Sequence, residues 1–320
     1  MSRIYELRLM TRVAQLYYAN RLKQSEISTR LNISQATISR LLKRAEQEGI
    51  VRVTITPPRG TFPDLEQALR DRYGLTEVVV ADCFQEAEDQ ILRAIGEAAG
   101  HYFESTIGDD EVIGLSSWSA SLLAMVEAIH PLKRAKAKKV VQLLGGIGNP
   151  VVQSHATQLT TRLAALTGAE PMLLSAQGVA ASAAAKLIMV GDAYVRATME
   201  QFRHITVALV GIGALQPSLM LWNSGNSFSS DELHDLEARG AIGDVCLRFF
   251  DAAGRPVTGS LDERVIGMSL AELGKVPRVV GVAGGARKLD AIRGALLGRI
   301  VNVLITDKFT AARLTDQDIS

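Results

Sequence analysis

Apolar residues near the start of the chain recur at helical spacing. Leu9, Val13, Leu16 and Tyr17 share one face of a helix over residues 8–20. In QSEISTRLNISQATISRLLK (24–43), Ile27 and Leu31 lie four apart on a short helix. Asn32 stands where the chain must turn, and Asn tolerates the left-handed conformation better than most residues. Ile33 plugs a small core, Ser34 is placed to cap the next helix, and Ile38, Leu41 and Leu42 form that helix's buried stripe. Two short helices with a tight turn between them and a third helix ahead predict a helix-turn-helix unit. Gly49 closes the last helix, IVRVTIT (50–56) alternates like a short β wing, and Pro57-Pro58 end it.

From Thr61 on, short apolar runs alternate with amphipathic stretches. Strands are expected at 77–81, 111–115, 139–144, 171–174, 206–211, 245–250, 278–282 and 301–305. Helices are expected near 63–73, 87–106, 119–130, 152–167, 190–203, 231–238, 288–297 and 309–315. Such alternation predicts a parallel α/β sheet with helices on both faces. The expected organisation is a winged helix-turn-helix domain over residues 1–57 and a larger Rossmann-like α/β domain over 58–320, consistent with a 320-residue chain.

Charge separates the same two regions. Residues 1–58 carry ten Lys and Arg against four Glu, while the remainder carries 25 basic and 30 acidic groups. A basic head on a mildly acidic body points to a polyanion-binding module attached to something else. In the head, Gln35, Ala36, Thr37, Ser39, Arg40, Lys43 and Arg44 lie off the apolar stripe of the last helix. Gln and Arg can make bidentate contacts to base edges, and Arg40, Lys43 and Arg44 can equally meet phosphates. Ser34 at the helix start, Gln24 and Ser25 at the start of the preceding helix, and Tyr18 complete the candidate contacts with double-stranded DNA.

In parallel α/β sheets, ligands bind at the carboxyl ends of strands. Four such ends carry small or glycine-rich residues: SSWSAS (116–121), GGIGNP (145–150), GIG (211–213) and AGGARK (283–288). Small hydroxyl residues opening a helix suit an anion or a sugar hydroxyl, and glycines let backbone approach a ligand. Enzyme grammars fail on inspection. Near Lys288, Arg287 stands where a P-loop needs its last glycine, and Leu289 replaces the Ser or Thr that would hold magnesium. No G-x-S-x-G and no H-x-x-x-H is present. Cys83 and Cys246 have no His or Cys at ligand spacing, so no metal or other cofactor is expected and a reducing cytoplasm is the natural compartment. No signal peptide or membrane-spanning run is evident.

The motifs together resemble the SorC/DeoR-type sugar-sensing transcription regulators of bacteria. The resemblance rests on residues 16–53, VALVGIGAL (207–215), GAIGDVCLRFFDAAGRPV (240–257), LDERVIGMSLAEL (261–273), VVGVAGGARKLDAIRGAL (279–296) and VNVLITDKFTAARL (301–314). It implies a DNA-binding head and an effector domain similar to the sugar-phosphate isomerase and CoA-transferase folds, without their catalytic groups. It further implies a sugar, polyol or sugar-phosphate effector and assembly as homodimers or homotetramers. By motif match, Asp244 would bond sugar hydroxyls and Lys288 would meet a phosphate or another oxygen. Ser116, Ser117, Ser119, Ser121, Gly145, Gly146, Gly284 and Gly285 complete the expected effector site. The family's G-x-S-W-G-x-T loop reads GLSSWSASL here, with Ser119 and Ser121 in place of Gly and Thr. That departure leaves open an unphosphorylated sugar or polyol. The alternative expectation is a sugar-phosphate-processing enzyme with an appended head, with Asp244 as its base.

Overall fold

The computed structural model describes residues 3–51, 58–132, 137–217, 221–222 and 229–316. It divides into two compact units, Met1–Pro58 and Arg59–Ser320.

In the first unit, α1 (Arg3–Ala14) runs into a π-helical turn at Gln15–Ala19, followed by α2 (Gln24–Leu31) and α3 (Gln35–Gln47). Asn32 takes the expected left-handed conformation (φ 55°) between α2 and α3. Ser28 Oγ donates to Ile33 O at 2.7 Å and locks that turn. The Ser34 hydroxyl accepts the Thr37 N–H at 3.2 Å, which satisfies one of the helix's free donors. Met10, Val13, Ile27, Ile38 and Leu42 form the buried core. The expected wing lies largely outside the described residues.

The second unit is built in the order α4 (Pro63–Tyr73), β1 (Glu77–Ala81), α5 (Glu88–Thr106), β2 (Val112–Leu115), α6 (Ala120–Ala128), β3 (Lys139–Gln142), α7 (Pro150–Thr167), β4 (Glu170–Met172), α8 (Ala183–Gly191), α9 (Ala193–Glu200), β5 (Val207–Gly211) and β6 (Gly213–Ala214). It continues with α10 (Ser230–Ala238), β7 (Ala241–Val245), β8 (Arg248–Asp251), α11 (Leu270–Leu273), β9 (Arg278–Val282), α12 (Leu289–Leu297), β10 (Val303–Asp307) and α13 (Lys308–Thr315). Seven strands form a parallel sheet in the order β1-β10-β9-β5-β2-β3-β4.

Alternate residues of these strands feed two cores, as the two-residue period of a strand requires. Val207 and Leu209 face α5, α6 and α7, among Ile95, Leu122 and Leu163. Ala208 and Val210 face the opposite layer, where α4, α9, α12 and α13 contribute Leu69, Val195, Ile292 and Leu314. From β2 the chain builds outward through β3 and β4, then returns to place β5 on the other side of β2. That reversal opens a crevice at the carboxyl ends of β2 and β5.

Two expectations are corrected. The strand expected over 245–250 is a hairpin, β7 and β8, because Cys246 (φ 54°) and Leu247 (φ 58°) both adopt left-handed backbone and turn the chain back. Both side chains are buried, so the apolar run continues through the turn and masks it. The helix expected over 190–203 is divided. α8 ends at Gly191, Asp192 caps α9 through the N–H groups of Tyr194 and Val195, and a 3₁₀ turn follows at Gln201–His204.

Candidate functional site

On the head, α3 buries Ile38, Leu41, Leu42 and Ala45 and turns Gln35, Ser39, Arg40, Lys43 and Arg44 to solvent. Thr37 is half-buried. Its hydroxyl meets Ser34 Oγ at 2.8 Å and accepts Arg40 Nη2 at 3.3 Å. Ser25 is exposed and Gln24 half-buried at the start of α2. Two further expected contact residues are bonded to other segments of the head. Tyr18 Oη donates to Glu46 Oε1 at 2.7 Å and pins the π-helical turn to α3, which pushes its phenol up to about 12. Arg44 pairs with Glu6 of α1.

In the body, loops that follow β2, β5 and β9 meet the β7–β8 hairpin around a cavity of about 120 Å³. Six of the ten residues expected at the effector site line it: Ser116, Ser119, Ser121, Asp244, Gly284 and Lys288. The other four serve the walls. Ser117 Oγ donates to Leu144 O at 2.7 Å. Gly145 packs on the Gln177 backbone, and Gly146 packs on the Gln142 side chain. Gly285 N–H donates to Asp307 Oδ2 at 2.9 Å and Thr310 Oγ1 at 2.8 Å.

Asp244 sits on β7, and its Oδ2 accepts the Leu247 N–H of the hairpin at 2.9 Å. Burial pushes its carboxyl up to about 6, although the Leu247 N–H and the Lys288 ammonium both favour the ionised form. Lys288 is pulled down, first by burial and then by neighbouring Arg287, while Asp244 and Glu88 oppose the shift. The cavity therefore holds a carboxylate and an ammonium that share an electrostatic field. Around them are serine hydroxyls and the N-terminus of α6, whose cap is Ser119. This arrangement suits a small polyhydroxylated molecule: a carboxylate accepts hydroxyl protons, and an ammonium donates to oxygens.

GIG (211–213) is expected from the sequence to let backbone approach a ligand. The two glycines instead make room for the site's own side chains. A Cβ on Gly211 would stand 2.4 Å from Ser119 Oγ, and one on Gly213 would stand 2.1 Å from Asp244 Oδ1. Gly211 thus accommodates the serine that replaces glycine after Trp118, whose indole N–H bonds Gly145 O at 3.1 Å. Asp307 is a second omission. Fully buried, it caps α13 through Phe309 N and Thr310 N and holds the AGGARK turn through Gly285. The signal was D-x-x-T at the end of an apolar run. Arg287 of the AGGARK stretch also lines the cavity, as do Glu88 and Gln216, which left no local signal.

Among the described residues, no cluster of three or more His, Cys, Asp or Glu could hold a metal ion. No described helix is long and apolar enough to cross a membrane.

Comparison with known proteins follows the same two units. Residues 60–315 match the sugar-binding domain family, and residues 10–57 match the MarR family. The chain is 31% identical over 310 residues to the deoxyribonucleoside regulator of Bacillus subtilis, covering 96% of this chain and 97% of that one. It is 31% identical to the sorbitol operon regulator of Klebsiella pneumoniae over 97% of this chain and 98% of that protein. The crystal structure of that full-length regulator, SorC, superposes with a TM-score of 0.73 at 30% identity, covering 97% of this chain and 98% of that one. The sugar-binding domain of a DeoR regulator from Pseudomonas syringae pv. tomato is 40% identical, with a TM-score of 0.63, over 80% of this chain and all of that one.

Proposed function

The chain belongs to the SorC/DeoR-type family of sugar-binding transcriptional regulators, and on that premise we propose how its two sites divide the work. The head binds operator DNA by laying α3 in the major groove, with Gln35, Ser39 and Arg40 at base edges and Lys43 and Arg44 on phosphates. Gln24, Ser25, Ser34, Thr37 and Tyr18 position that helix on the backbone. The cavity binds a sugar, polyol or sugar phosphate, with Asp244 accepting hydroxyl hydrogens and Lys288 donating to an oxygen.

The observation that carries this reading is the meeting of Asp244, Lys288 and three serines in one cavity at the sheet's switch point. The effector is sensed rather than converted, and the protein acts in the cytoplasm where its DNA lies. Effector binding favours one assembly of the heads over another and so changes affinity for the operator. The assembly is a homodimer or homotetramer. The exposed apolar side chains of Leu187, Ile188 and Tyr194 on α8 and α9 support self-association.

The test is linkage. A duplex selected by the chain from random DNA is titrated at fixed salt, with and without carbohydrates that raise the protein's Tm. Binding that responds to such a carbohydrate, and weakens about ten-fold or more in Arg40→Ala, supports the reading. DNA affinity untouched by Arg40→Ala and Gln35→Ala sinks the DNA assignment. Turnover of a sugar phosphate, abolished in Asp244→Asn, would instead make the cavity an active site.

A further inference from the structure

Arg287 lines the cavity one residue before Lys288. Its guanidinium joins two other walls. Nη1 donates to Gln216 O at 3.3 Å, on the segment after β6, and Nη2 donates to Glu88 Oε1 at 3.4 Å, at the start of α5. Both bonds are long, and the Arg287 and Glu88 side chains are 44% and 82% exposed. An exposed pair of this kind shifts an equilibrium by at most about five-fold. It holds the walls together in a way that a competing anion can undo.

The cavity also presents polar groups to a ligand. The Lys288 ammonium lines it within the field of the Asp244 and Glu88 carboxylates. The hydroxyl of Ser121, a residue only 2% exposed, lines it as well. Arg287 and Lys288 are adjacent cations on one 3₁₀ turn, Ala286–Lys288, and repel each other. A neutral polyol leaves that repulsion in place and offers Arg287 nothing stronger than Glu88. A ligand anion meets both cations, relieves the repulsion and takes the place of the Glu88 carboxylate on Arg287.

We propose that Arg287 selects an effector with an anionic group, and that Glu88 is the competitor which that group displaces. The inference rests on the carbohydrate-effector reading above and narrows its ligand class. The shared chemistry is a polyhydroxylated molecule with an anionic end, either a phosphomonoester or a carboxylate.

The experiment uses the full chain as wild type, Glu88→Gln and Arg287→Gln. Binding is measured by thermal shift and calorimetry at fixed ionic strength. The probes are four- to six-carbon sugars and polyols, each offered free, as a phosphomonoester and as a sugar acid. The tightest probe is expected to be anionic, and the phosphate and carboxylate arms identify which anion it carries. Glu88→Gln should tighten that probe by about two- to five-fold and leave its uncharged counterpart unchanged. Arg287→Gln should weaken it by about ten-fold or more. Both side chains are exposed, so the ligand-free Tm of each variant should match wild type. A neutral sugar or polyol that binds tightest, with both variants indistinguishable from wild type, overturns the role of Arg287 alone. No shift with any probe overturns the carbohydrate-effector reading with it.

Discussion

In the head, the residues offered to DNA lie within one short stretch, and most of those on α3 are exposed on one face of the helix. In the body, the residues that meet in the cavity run from Glu88 to Lys288 and come from separate strands, helices and loops. The head's surface is set by the period of one helix. Once Ile38, Leu41 and Leu42 are buried, Gln35, Ser39, Arg40 and Lys43 must point outward. The cavity is set by strand order. Only because β5 lies between β2 and β9 do Ser119, Gly211 and Gly284 face a common space. A recognition surface made by one element tolerates change elsewhere, whereas a cavity made by four depends on every wall.

The largest expected effect tests whether the two regions are separable. Ile38 is fully buried in the head, so Ile38→Ala should cost about 2–5 kcal/mol of head stability. Calorimetry should show the head's transition falling while the body keeps its Tm and its response to carbohydrate. A loss of carbohydrate binding in this variant would show that the two units do not fold independently.

That contrast also explains what was legible in the sequence. Asn32 and Ser34 were readable because turn and cap chemistry act within a few residues. The parallel sheet was readable because its strands are apolar runs separated by helical periods. The β7–β8 hairpin was not, because Cys246 and Leu247 are as apolar as the strands they join. α8 was not, because an apolar helix with no buried residue shows no period. In the candidate site, Asp244 and Lys288 were named through motif resemblance. Gly145, Gly146 and Ser117 were named because small or glycine-rich stretches follow strand ends, yet they bond or pack against the walls. Composition cannot separate a glycine that admits a ligand from one that admits Gln177 or Gln142. Glu88 and Gln216 reach the cavity only through the fold.

The next effect probes the body. Asp244 titrates at about 6, above the ordinary carboxylate value, because burial disfavours its ionised form. The stability it contributes is therefore fully present below the unfolded value and lost as pH rises through 6. Between pH 4 and 7, wild type should lose about 1–3 kcal/mol relative to Asp244→Asn, whose side chain does not titrate. Denaturant midpoints of the two proteins across that range give the comparison. A constant difference at every pH would show that Asp244 is not held in a desolvated site. The smallest effect returns to the head. Ser34→Ala removes the cap on α3 and should cost about 1 kcal/mol, with carbohydrate binding unchanged. Equal melting of wild type and Ser34→Ala would place the helix start elsewhere.

The most direct test of the account joins the regions. Affinity for the selected DNA duplex is measured in wild type and Asp244→Asn while the tightest-binding carbohydrate is titrated. The ligand should change the wild-type DNA Kd by about 5–150-fold. Asp244→Asn should show no such response, and its ligand-free DNA Kd should equal wild type. A wild-type DNA Kd that stays constant while the same carbohydrate raises the protein's Tm would contradict the account.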